Sequence, residues 1–219
     1  EIFSKKIEPT LIQPTFVSNH DNGRFGYFVR KAFPQASDEE QLKRVILAHA
    51  MLLTLRGVPT IYSGDEQGFA GDGWDQDSRE DMFPSKTAVY NDNVLIGTKA
   101  TTAQSNFDTA HPLYTKMAQL SGMRQRHAAL RRGKQIVRNY ADTPGLFAVS
   151  RIDPDDGHEI VVAFNTSDKA MTVNVEVATQ STKFGAIYGQ CPESADTPGR
   201  IRLTLARLDF AVCEAGAKE

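Results

Sequence analysis

The run Phe16-Val-Ser-Asn-His-Asp21 sets Asn19, His20 and Asp21 directly behind a short apolar stretch, with Asn22, Gly23 and Arg24 following. A carboxylate so placed can offset positive charge that develops on a substrate, and a neighbouring imidazole can donate a hydrogen bond to a hydroxyl. Arg24 can hold nearby carboxylates in place. A second run has the same layout: Gly57-Val-Pro-Thr-Ile-Tyr62 leads into Ser63-Gly-Asp-Glu-Gln-Gly68. Polar groups behind β-prone runs fit the C-terminal edge of parallel α/β architecture, where ligands bind and catalytic side chains sit. On spacing alone, residues 19–23 fit equally well a strand end that caps a turn.

The elements that must position these groups can be read from periodicity. Pro14 to Ser18 and Gly57 to Tyr62 read as strands separated by one long helix, which would make the right-handed crossover that brings both clusters to one rim. Ser37 and Glu40 form a capping box, Asp38 and Glu39 suit the positive helix end, and Gly57 follows as a stop. Leu42, Val45, Ile46, His49, Leu52 and Leu53 line one face of that helix, which makes His49 a packed core residue rather than a ligand. Pro112 opens a second helix, with Leu113, Met117 and Leu120 inward and Arg124, Arg126 and His127 at its negative end.

The pattern changes near Arg131 to Lys134, where we set a domain boundary. Leu146 to Ser150 and Ile160 to Phe164 read as a hairpin around Asp153-Pro-Asp-Asp-Gly157. Val173, Val175 and Val177 alternate with Thr172, Asn174 and Glu176, and Ile201, Leu203 and Leu205 repeat the pattern, as in a small antiparallel β domain.

Composition excludes several classes. With 219 residues, 25 basic against 27 acidic side chains and a net charge of −2, the chain has an ordinary globular composition and no electrostatic footprint for nucleic acid. No stretch reaches the about 18 apolar residues of a membrane span. Glu1-Ile-Phe-Ser-Lys-Lys has neither an initiator Met nor an apolar signal core, which reads as a processed or truncated start. Cys191 and Cys213 allow one disulfide or two free thiols. The acidic segment from Asp72 to Asp81 lacks the glycine and terminal glutamate of an EF-hand, so it reads as a solvated loop, with Trp74 as a core residue rather than a sugar platform. No zinc spacing, phosphate cradle or nucleophile elbow occurs. Asn165-Thr-Ser167 matches a glycosylation sequon.

Taken together, the two clusters resemble the α-amylase family of retaining glycoside hydrolases. Phe16-Val-Ser-Asn-His-Asp21 is similar to the motif ending the seventh barrel strand, and Gly57-Val-Pro-Thr-Ile-Tyr-Ser-Gly-Asp-Glu66 to that ending the eighth. His111-Pro-Leu-Tyr114 through Arg124, His127, Leu130 and Gly133 resembles the last barrel helix running into the β-sandwich called domain C. The resemblance implies an α/β plus β fold: the last two units of a (β/α)8 TIM barrel in residues 1–133, then domain C in residues 134–219. It makes Asp21 the catalytic carboxylate that stabilises the oxocarbenium-like transition state and His20 a sugar-binding residue, with Asn19 and Arg24 as rim contacts. Ser63 stands where the family more often has a second tyrosine.

Retaining glycosidases also need a nucleophilic carboxylate and an acid/base carboxylate about 5 Å apart. The family supplies them from a Gly-x-Arg-x-Asp-type motif and its neighbour, and no segment here resembles that motif. The chain therefore reads as the C-terminal piece of such an enzyme, acting on an α-glucan or oligosaccharide, unable to turn it over alone. Two strands of a barrel would leave unpaired edges and apolar faces, so a homo-oligomer or a complementing N-terminal barrel fragment is expected. A noncatalytic glycan-binding or assembly chain derived from the same family is the alternative. The resemblance places calcium outside this chain, which carries no cofactor or metal site of its own. It also implies action outside the cytoplasm, although the chain itself leaves the compartment open.

Overall fold

The computed structural model describes residues 12–216. They fall into two compact units, one built from Pro14–Leu52 and Val58–Ser121, the other from Leu53–Gly57 and residues from Gly122 onward. The division lies inside a helix, while the strands of the second unit begin only at Lys134.

In the first unit, β1 (Pro14–Thr15) and β2 (Val58–Pro59) pair in parallel, Pro14 opposite Val58. Between them run α1 (Phe25–Ala32) and α2 (Asp38–Thr54). The β-prone runs are thus much longer than the hydrogen-bonded strands, because only two residues of each find a partner. Helix α2 begins where its capping box predicts, with the Glu40 N–H donating to Ser37 Oγ at 3.2 Å. Its C-terminal half is buried nearly all round, including Leu47, Ala50 and Thr54 off the expected stripe. Helix α1 is not foreshadowed by its composition, since Gly26 and three aromatic residues are weak helix formers. Gly26 is there for closeness: a Cβ at that position would lie 2.8 Å from Ile96 Cδ1. The core of this unit joins Val29, Val45, Ala70, Ile96, Leu113 and Met117. Phe16, Val58 and Ile61 remain 39–48 % exposed around the short parallel pair.

Helix α3 (Pro112–Arg126) starts at the expected proline and is followed by α4 (Ala128–Arg132). Arg124 binds main-chain carbonyls: Nη1 donates to Leu53, Leu55 and Leu130, and Nη2 to Gly57 at 2.6 Å. One guanidinium thus satisfies carbonyls that the end of α2 leaves without helical partners.

The second unit carries a five-stranded antiparallel sheet in the order β3 (Lys134–Asn139), β4 (Leu146–Ile152), β5 (Glu159–Asn165), β9 (Asp209–Ala215), β7 (Phe184–Tyr188). A separate antiparallel pair joins β6 (Met171–Glu176) and β8 (Arg200–Leu205). Ala148, Val161, Ala163, Val175, Ile201, Leu203 and Ala211 from both sheets form one core. On the opposite face Thr172 and Thr204 meet hydroxyl to hydroxyl at 3.0 Å. Cys191 and Cys213 are joined in a disulfide, which settles the choice their count left open. The sequon match marks no accessible site: Asn165 is fully buried, and its Nδ2 donates to the carbonyls of Lys169 and Ala206.

Candidate active-site rim

Residues 19–23 close on themselves as a tight turn. Asn19 and Gly23 exchange main-chain hydrogen bonds, and Asn19 Oδ1 accepts the N–H groups of Asp21 at 3.0 Å and Asn22 at 2.6 Å. Asn19 therefore shapes the turn with the side chain that the sequence reading gave to a substrate. His20 and Asp21 project outward, with side chains 62 % and 67 % exposed, Nε2 lying 3.4 Å from Oδ1. An imidazole and a carboxylate presented together to solvent can bind neighbouring hydroxyls, one donating and one accepting.

Arg24 is not on the rim. Its side chain is 1 % exposed and serves the interior, so its expected part as a substrate contact is corrected. Nη1 donates to Ser63 O at 2.9 Å and pairs with Asp65 Oδ1 at 3.3 Å, while Nε faces Glu80 Oε2 at 2.9 Å. The guanidinium also lies over the rings of Tyr62, 4.4 Å away, and Phe69. Burial of a charge at this depth is tolerated only with such company. The other half of the sequence reading, that Arg24 holds nearby carboxylates, describes what the structure contains. Asp65 in turn approaches His49 Nε2 at 3.5 Å, and His49 Nδ1 lies 2.8 Å from the Val45 carbonyl. His49 is a core residue, as its helical position predicts.

The acidic segment is only partly solvated. Asp72, Asp75 and Asp77 are exposed, whereas the Glu80 side chain is wholly buried. Burial pushes the Glu80 carboxyl up to about 7, against the pull of Arg24 and helped by Asp72. Trp74 is not in the core: it is 58 % exposed and packs edge-on against Phe28. Arg79, paired with Asp75, donates from Nε to the His20 carbonyl at 3.3 Å and lies 3.8 Å from Asp21 Oδ1. Arg79 and Glu80 were not singled out by the sequence, where Ser78-Arg-Glu-Asp81 looks like any charged loop. Among the described residues, no group of three or more His, Cys, Asp or Glu side chains gathers as a metal-ligand set.

The geometry defines an α/β unit whose parallel strand ends carry an exposed carboxylate and imidazole, joined to an antiparallel β domain. Residues 2–133 match the family model described as the α-amylase catalytic domain. The chain is 42 % identical over 207 residues to an α-amylase of Streptomyces lividans, covering 94 % of this chain and 22 % of that protein. An Anoxybacillus α-amylase superposes with a TM-score of 0.68 at 21 % identity, covering 95 % of this chain and 39 % of that one. A debranching enzyme from Nostoc punctiforme superposes at 0.62 with 26 % identity, covering 94 % of this chain and 36 % of its own. The chain belongs to the α-amylase family and spans well under half the length of these relatives.

Proposed function

We propose that this chain furnishes the last two β/α units and domain C of a retaining α-glucan hydrolase. Asp21 stabilises the oxocarbenium-like transition state, and His20 hydrogen-bonds the same sugar. The observation that carries this reading is the outward pair His20 and Asp21 on a turn closed by Asn19, beside a parallel partner strand whose own acid is tied down by Arg24. A carboxylate held at the rim and exposed to solvent can meet charge as it develops at the anomeric carbon, without attacking it.

The 219 residues contain no Gly-x-Arg-x-Asp-type segment. The nucleophile and the acid/base carboxylate therefore come from elsewhere, and the chain by itself is inactive. The remaining barrel strands cover the apolar side chains of Phe16, Val58 and Ile61, and any calcium belongs to that remainder. The test uses the product of the complete reading frame that encodes this chain. Asp21→Asn should lower kcat on starch by about 100-fold or more with the fold intact, and His20→Gln should raise KM more than it lowers kcat. Unchanged turnover in Asp21→Asn would leave the noncatalytic, glycan-binding reading of this rim.

A further inference from the structure

We propose that Glu80 and Arg79 are positioning residues for Asp21, one holding residues 72–80 to the buried Arg24 beneath the turn and the other gripping that turn from outside. The inference rests on the assignment of Asp21 above and extends it to a segment that the sequence presents as a solvated loop.

Several separate contacts join this segment to residues 19–24. Glu80 meets Arg24 at 2.9 Å in the interior. Arg79 Nε donates to the His20 carbonyl at 3.3 Å, and its Nη2 stands 3.8 Å from Asp21. Between them the backbones touch: Gly23 has φ +90, and a Cβ there would lie 2.7 Å from the Gly73 carbonyl oxygen. Asp75 pairs with Arg79 and so aims it. The segment thus binds the turn at its carbonyl, its glycine and its arginine, and leaves the side chains of His20 and Asp21 directed outward.

The inner contact is also unbalanced in charge. Arg24 faces two buried carboxylates, Asp65 and Glu80, with Asp72 close by, Arg30 interacting with Glu80 and Asp72, and Asn93 donating to Glu80 Oε1 at 3.2 Å. Burial above all, helped by Asp72 and opposed by Arg24, makes Glu80 keep its proton to a higher pH when the segment is seated than when water reaches it. Protonation favours the seated segment, and ionisation as pH rises through about 7 loosens it.

Trp74 is the only tryptophan of the chain and lies within this segment, so its indole signal reports seating. The experiment is 15N NMR of the full chain in a His20→Gln background, which removes the imidazole beside Asp21, followed from pH 5 to 8. The Trp74 indole and the Asp21 and Asn22 amides should move together with a common midpoint near 7. Glu80→Gln, which keeps the shape without the charge, should abolish that step. Glu80→Ala should speed exchange of the Asp21 and Asn22 amides by at least about tenfold. Arg79→Ala should keep the Trp74 step but remove it from the two amides, and Arg79→Lys should restore part of it. A step that survives Glu80→Gln, or turn amides indifferent to both Glu80→Ala and Arg79→Ala, would overturn the proposal. If Glu80→Ala does not fold, the Glu80→Gln arm decides alone. No sugar is present in these measurements, so their failure would be separate from a failure of Asp21 in the hydrolysis assay.

Discussion

Arg24 and Asp65 meet as a buried ion pair, Nη1 to Oδ1 at 3.3 Å, and that contact ties together the segments that leave the two short parallel strands. Each strand contributes only two paired residues, too few to fix the rim by backbone hydrogen bonds alone. Side chains do much of that work. Arg24 carries Asp65 and Glu80 from below, Asn19 folds the turn that follows β1, and Asp21 is left outward.

Removing the centre of this arrangement should unfold the rim. Arg24→Ala leaves Asp65 and Glu80 buried without their shared cation, and breaking a buried pair this way costs about 3 to 5 kcal/mol. Arg24→Lys should recover little, because a single ammonium cannot serve Ser63 O, Asp65 and Glu80 at once. Urea denaturation followed through Trp74 measures both.

Stability should depend on pH through Glu80. Its folded pKa of about 7 lies above the ordinary value of 4.5. The folded chain therefore holds a proton that the unfolded chain has lost between those values, and this contribution to stability falls as pH rises from about 4.5 to 7. The loss is at most about 3 kcal/mol. Glu80→Gln should flatten that part of the profile in denaturation experiments between pH 4 and 8.

His111 acts in the opposite sense. Burial lowers its pKa from 6.5, and its Nδ1 accepts the Leu113 N–H at 3.2 Å, which requires the ring to be unprotonated at that nitrogen. The unfolded chain takes up the proton first as pH falls below about 6.5, so stability declines there. In His111→Gln this acid-side decline should be smaller than in the parent chain, as read from the difference between their melting temperatures at pH 5 and pH 7.

Gly23→Ala should cost roughly 1 to 3 kcal/mol, from the positive φ together with the 2.7 Å approach to the Gly73 carbonyl. The loss should centre on the turn, so amide exchange at Asp21 and Asn22 rises while β5 amides such as Val162 stay protected.

The β domain was the more legible part of the sequence. Val175, Ile201 and Leu203 alternate with Thr172, Asn174 and Arg202 because each strand buries a single face, and period-two patterning reports that directly. β3, β7 and β9 were not foreseen: burial is broken in β3 and β7, with Lys134, Gly185 and Ala186 exposed, and β9 is buried on both faces from Phe210 to Cys213, so none of the three alternates. The helix starts at Ser37 and Pro112 were legible because caps are local chemistry. Asp21 and His20 stood out as a motif and Arg24 as a holder of carboxylates, but the burial of Arg24 and the identity of its carboxylates were not legible. Whether an arginine faces solvent or the interior depends on carboxylates 41 and 56 positions away, Asp65 and Glu80. Trp74 was misread for the same reason, since burial is set by the folded neighbours and not by residue type.

The most direct test of the account is starch hydrolysis by the purified 219-residue chain, set beside the product of its complete reading frame. The chain should show no turnover, and the complete product should show activity that falls steeply in Asp21→Asn. Turnover by the chain alone, abolished by Asp21→Asn, would contradict that expectation and would require a nucleophile among the acids of this rim.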